Sequence, residues 1–198
     1  MRIQPALLFT ALISFALLSC GDNSKRIMIM ANGNISVNKN MVTLSGGTTH
    51  NEQYVTVSED NIQVSGPDGE KTIELKDGAG LYLLNLKKDT LVGSYQRVGT
   101  NSDQIRVSRT ELKMQLDSLI DLQQGRNVTV ENRNYWIPPY QASKITDNKQ
   151  AEIFGPFNPL PSSFESGKEH EIYKFHTNKG VNEIIERLRP MTEDSVDG

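Results

Sequence analysis

An α+β fold is expected: a β-rich N-terminal antiparallel meander or sandwich, one packed amphipathic helix, then C-terminal strands and a final helix. Three features of the chain lead there. Short apolar/polar alternations of period two recur through residues 27–100, turn-forming residues punctuate them, and two later segments carry apolar residues at helical spacing.

The strand segments come first. Ile35-Ser36-Val37, Val42-Thr43-Leu44, Val55-Thr56-Val57, Ile62-Gln63-Val64 and Ile73-Glu74-Leu75 each place apolar side chains on one face and polar ones on the other. Leu81–Leu86 is more continuously apolar, as a central strand buried on both faces would be. Between these lie Asn32-Gly33, Asn38-Lys39-Asn40, Gly46-Gly47, Glu59-Asp60, Pro67-Asp68-Gly69 and Asp77-Gly78. Proline presets φ and glycine accepts φ > 0, so Pro67-Asp68-Gly69 marks a hairpin.

A helix is expected over about 109–124. Ser108-Arg109-Thr110-Glu111 fits a capping box, and Leu112, Leu116, Leu119 and Ile120 make one apolar stripe. Gly125 supplies a C-terminal stop. Val128-Thr129-Val130 is strand-like, and the prolines at 138, 139, 156, 159 and 161 exclude regular helix or a central strand around them. Glu171–His176 alternates again. Thr177-Asn178 can cap a last helix over about 179–189, whose Val181, Ile184, Ile185 and Leu188 share a face. The acidic tail, 191–198, is expected to be disordered. The chain divides accordingly into a β-rich part, 27–100, and an α+β part, 101–190.

Composition narrows the function. A formal net charge of −3 gives no basic surface for nucleic acid, so no nucleic-acid partner is expected. A single cysteine excludes an internal disulfide and a cysteine-rich zinc site. No nucleophile elbow, phosphate-binding glycine loop, dinucleotide fingerprint or H-E-x-x-H occurs. His170 and His176 with Glu169 and Glu171 have metal-ligand chemistry, but six residues along a strand span about 20 Å, too far for one ion. No metal, cofactor or catalytic residue is therefore assigned, and His50 is read as a solvated residue in a polar turn.

The aromatic residues are distributed unevenly. The chain has one Trp, six Tyr and six Phe, and eight of these rings fall between 135 and 175. Tyr135, Trp136, Tyr140, Phe154 and Phe157, among stiffening prolines, are a candidate contact surface on which sugar rings or a partner's apolar residues could stack. The plainer alternative makes the same rings the core of a C-terminal part poor in Leu and Val.

The N-terminus carries the most specific pattern. Met1-Arg2 gives a positive start, Ala6–Leu18 is an uncharged run of 13 residues, and Leu17-Leu18-Ser19-Cys20-Gly21 follows. The run fits the core of an export signal and falls short of a bilayer-spanning helix. The segment resembles the bacterial lipoprotein signal, which implies cleavage before Cys20, lipidation of its thiol and acylation of the new amino group. On that resemblance residues 1–19 are a signal peptide, 20–26 a lipidated tether, and the protein is held on a membrane through Cys20. Several acyl chains, at about 0.8 kcal/mol per buried CH₂, anchor far better than one. Tyr173–Lys179 and Phe154-Gly155-Pro156-Phe157 are similar to stretches of small Bacteroidota envelope lipoproteins, and Gly21-Asp22-Asn23 lacks the acidic run used there for surface display. The resemblance implies the outer membrane, on its periplasmic face. Asp89-Thr90-Leu91 and Asp194-Ser195-Val196 resemble the Asp-Ser/Thr-apolar O-glycosylation triplet of that phylum, which implies modification at Thr90 or Ser195. The function expected is therefore that of a lipid-anchored binding, interaction or structural protein, with a secreted hydrolase of non-local active site as the alternative.

Overall fold

The computed structural model describes residues 23–96, 108–129, 131–161 and 170–192. Cys20, Phe164 and Ser195, and the sequence readings that fall on them, lie outside the described residues. The fold is α+β, as the alternations require. Its strands are β1 (Lys25–Asn38), β2 (Met41–Val57), β3 (Asn61–Gly66), β4 (Gly69–Glu74), β5 (Gly80–Leu86) and β6 (Leu91–Gln96). Helix α1 (Arg109–Gln123) follows, then β7 (Asn134–Ile137), β8 (Gln141–Thr146), β9 (Glu152–Phe154), β10 (Ile172–Thr177) and α2 (Asn178–Thr192).

The strands form two sheets. The first has the order β4-β3-β2-β1-β5-β8 and the second β7-β6-β10-β9. An antiparallel meander was the expectation; both sheets are in fact mixed, with parallel pairs β1–β5, β2–β3 and β9–β10. The boundary at residue 100 does not separate the sheets either: β8 completes the first sheet from the C-terminal half, and β6 belongs to the second.

The alternation of side chains explains the layering. Ile27, Ile29 and Ala31 of β1 and Tyr82, Leu84 and Leu86 of β5 point into one core, which Val42, Val57, Ile62, Val64, Ile73 and Leu75 close from the other end of the same curled sheet. The opposite face carries Met28, Met30, Leu81 and Leu83, which pack on Leu91, Tyr135, Ile137, Tyr173 and Phe175 of the second sheet. A third core joins Val92 to Leu116 and Leu122 of α1 and Val181 and Ile185 of α2. Leu81–Leu86 is thus buried on both faces, as its continuous apolar run requires.

The curl brings β4 opposite β8 without a hydrogen-bond ladder between them. Side chains bridge that seam instead. The Lys71 ammonium sits 3.5 Å from the Tyr140 ring centroid, the Tyr140 hydroxyl donates to Asp68, and Lys144 Nζ donates to the Asp77 carbonyl at 2.6 Å. The Asp68 bond pushes the Tyr140 phenol up to about 12, with burial adding to it.

Several local readings change. Asn32-Gly33 and Gly46-Gly47 do not end strands. They face one another at a bulge in a continuous β1–β2 pair, where register passes from Asn32↔His50 to Asn34↔Ser45. Gly33 has φ +93°, and an added Cβ there would strike the Ser45 carbonyl, so the bulge depends on glycine. Val128 and Thr129 are not strand, and Val130, the third residue of that expected strand, lies outside the described residues. Asn134–Ile137 is a strand, but an edge one, which tolerates the prolines that follow. Helix α1 matches its expected span, and Ser108 Oγ accepts from the Glu111 amide at 3.2 Å. Its buried residues are Leu116 and Leu122, while Leu119 and Ile120 are half-buried. Helix α2 passes the expected end at 189 and takes Met191 and Thr192 from the segment read as tail. Its N-terminus is held by Thr177 Oγ1, which accepts from the Gly180 amide, and by Asp89, which accepts from the Lys179 amide. Thr90 lies in that same junction, with its carbonyl accepting from the Asn178 amide and the next residue, Leu91, fully buried.

Candidate functional site

The polar cluster of greatest chemical interest grows out of the strand register. On the face of the first sheet that meets the second, paired positions along β2, β1 and β5 run Tyr54–Met28–Leu83, then Glu52–Met30–Asn85, then His50–Asn32. The alternation of β5 continues past its end to Lys87. The row thus changes from apolar to polar where the inter-sheet core reaches the edge, and Lys87, Asn32 and His50 meet there.

The contacts are short. Lys87 Nζ lies 2.8 Å from Asn32 Oδ1 and 2.8 Å from His50 Nδ1. His50 Nε2 lies 2.5 Å from Glu52 Oε1. A charged Lys87 has protons only to donate, so His50 Nδ1 accepts and Nε2–H donates to Glu52. Asn85 fixes the approach of Lys87: its Oδ1 accepts from the Lys87 amide at 3.0 Å, and its Nδ2 donates to the carbonyls of Asp89 and Ile137. Lys87 is 5% exposed, and the side chains of His50 and Glu52 are 16% and 10% exposed. Burial lowers the Lys87 amine below the usual lysine range, with Glu52 and Asp89 pulling it back up.

A loop from the second sheet covers this row. Phe157 stands edge-on to His50, with ring centroids 4.8 Å apart, and its centroid is 5.8 Å from Lys87 Nζ. Lys174 Nζ of β10 donates to the carbonyls of Gly155 and Asn158 at 2.5 Å each, and Asn158 Nδ2 donates to Glu52 Oε2 at 2.6 Å. Burial also lowers the Lys174 amine, against the pull of Glu52. A Cβ at Gly155 would overlap the Glu52 carboxylate, so glycine is needed where the loop crosses β2. The loop is therefore pinned at both ends while Phe157 remains 67% exposed.

The five aromatic residues read as one surface are placed apart. Tyr135 is core: it packs between the sheets, contacts Tyr173 and Phe175, and donates its hydroxyl to the Ile145 carbonyl at 2.5 Å. It is withdrawn from the contact surface. Trp136, one residue on, points to the opposite face of the second sheet, lies against Gly125 after α1, and is 39% exposed. Tyr140 belongs to the β4–β8 seam. Phe154 is half-buried on β9, and Phe157 alone of the five stands in contact with the polar row. His50 is not a solvated turn residue, because the β1–β2 pairing runs through it and buries it. The signal available in the sequence was His50-Asn51-Glu52, whose period of two puts both side chains on one strand face.

Among the described residues no group of three or more His, Cys, Asp or Glu side chains is arranged to hold a metal ion. His170 precedes β10 while His176 lies within it, half-buried. No protein-family model, curated protein or solved structure matches the chain.

Proposed function

We propose that this is a lipid-anchored protein of the bacterial cell envelope that works by contact with a partner, presented on the Phe157 loop. The anchor rests on the leader pattern ending at Cys20. Strand β1 begins at Lys25, so Lys25 and Arg26 of the tether expected over 20–26 are strand, and the five steps from Cys20 to Lys25 span at most about 18 Å. Among the described residues no helix is long and apolar enough to cross a membrane.

The observation that carries the contact reading is the exposure of Phe157 on a loop pinned by Lys174 and Asn158. A large ring held out by a pre-ordered backbone binds without the entropic cost of ordering a loop. The partner is an envelope protein or a glycan, either of which presents apolar surface to an aromatic face. The loop also lies away from the anchor. Lys25 and Asn32 are seven residues apart along β1, about 23 Å, and the Phe157 cluster is at the Asn32 end.

Phe157→Ala should reduce in-cell cross-linking to the partner, or retention on immobilised envelope glycan, by at least about tenfold, the cost of one lost aromatic anchor. Its melting temperature should stay unchanged, because the ring is exposed. Trp136→Ala, on the other side of the second sheet, should leave binding intact. Equal binding by wild type and Phe157→Ala, or loss only with Trp136→Ala, overturns the assignment.

A further inference from the structure

We infer that Lys87 is a nucleophilic amine that captures aldehyde carbonyls as an imine, with His50 as its proton acceptor and Glu52 as the group that orients His50. The arrangement has the three parts of an activated nucleophile. The attacking atom is 2.8 Å from a ring nitrogen, and the other ring nitrogen is 2.5 Å from a carboxylate. Each part comes from a rigid strand or its immediate end, and Asn32 and Asn85 fix the lysine from two more directions. A lysine kept only for structure would need acceptors for its protons. It would not need a base whose far side is backed by a carboxylate.

The chemistry balances without an outside reagent. The Lys87 ammonium passes one proton to His50 Nδ1, and the imidazolium so formed is stabilised by Glu52. The free amine attacks the carbonyl carbon, forming a C–N bond while the C=O π pair moves to oxygen. A proton leaves nitrogen for that oxygen, and His50 returns the first proton to the carbinolamine hydroxyl. The C–O bond then breaks, and water departs. Ammonium plus aldehyde thus gives protonated imine plus water, and the charge is conserved. Phe157 roofs the amine. Exposed side chains change rotamer on the nanosecond scale, so the ring can swing aside to admit a small aldehyde and close over its carbon chain. Burial, which lowers the Lys87 amine, favours the same free base.

The test uses the full chain in detergent, with propanal and cyanoborohydride at pH 7, followed by peptide mapping. Lys88, the exposed neighbour, is the internal reference. Propylation should favour Lys87 over Lys88 by more than about tenfold, since general-base assistance alone contributes factors of about 10²–10⁴. The Lys87 rate should level off at a lower pH than that of an ordinary lysine, because burial lowers its amine. His50→Gln should abolish the preference in a chain that stays folded; if that variant does not fold, Glu52→Gln, which removes the charge behind His50 and keeps an acceptor for its Nε2–H, should reduce it. Phe157→Ala should accelerate labelling of Lys87, the opposite of its expected effect on partner binding, so the two readings fail separately. Lys88 modified while Lys87 stays unmodified, in both the folded wild type and Phe157→Ala, overturns the inference.

Discussion

Gly93→Ala should destabilise the fold by about 3 kcal/mol, near the upper end for overpacking a well-filled core. Gly93 of β6 pairs directly with Phe175 of β10. A Cβ there would lie 2.5 Å from Phe175 Cγ and 2.7 Å from the Lys174 carbonyl oxygen. Neither neighbour can yield easily: Phe175 is fully buried between the sheets, and the carbonyl is backbone within the sheet. For a chain of this size the melting temperature should fall by about 6–12 °C. Phe175→Ala should itself cost about 3–5 kcal/mol through the cavity it leaves. The double variant is the sharper measurement. Removing the ring takes away two of the three atoms nearest the methyl and leaves the Lys174 carbonyl, so the added cost of Gly93→Ala should drop by at least half. Strict additivity of the two would refute the steric account.

Cys20→Ala should release the protein from the membrane fraction. A hydrophobic signal without its thiol cannot receive diacylglycerol, and a chain lacking two or more acyl groups has no comparable anchor. Metabolic labelling with an alkyne fatty acid should mark the wild type and leave Cys20→Ala unmarked at equal protein level. The wild type should also carry the mass of a lipidated N-terminal Cys20 peptide. An unmodified Cys20 on mature wild-type protein would refute the anchor. Protease added to intact cells should spare the folded part until lysis if the periplasmic placement is right, and digest it if it is displayed outside.

The fold was largely legible from local pattern. Every short alternation in residues 35–75 lies wholly or mainly within a strand, and the two helices sit on the residues whose apolar spacing marked them. What could not be read was partnership. The residues that make β1–β5 and β2–β3 parallel are the same alternating residues that an antiparallel pair would use, because period two fixes a face and not a neighbour. Asn-Gly and Gly-Gly pairs usually reverse the chain; here each lies on one side of a bulge, and only the register reveals it. A turn there would put His50 in solvent, whereas the bulge keeps it within β2 and buries it. The aromatic cluster failed for a related reason: neighbours in sequence such as Tyr135 and Trp136 point to opposite faces of a strand, so proximity along the chain scattered them in space.

The strand order of the second sheet has a kinetic consequence. Its last strand in the chain, β10, lies between β6 and β9, and it brings Tyr173 and Phe175 to the inter-sheet core just before α2 completes the layer beyond. Until residue 177 is available, β6 and β9 have no shared partner, and the core between the sheets lacks Tyr173 and Phe175. Closure therefore depends on contacts between strands far apart in the chain, whose closure entropy must be spent before any core energy returns. Such a chain should fold slowly for its size, as one late cooperative event rather than from the N-terminus forward. While it waits, the edge of β6 that β10 will occupy stays unpaired.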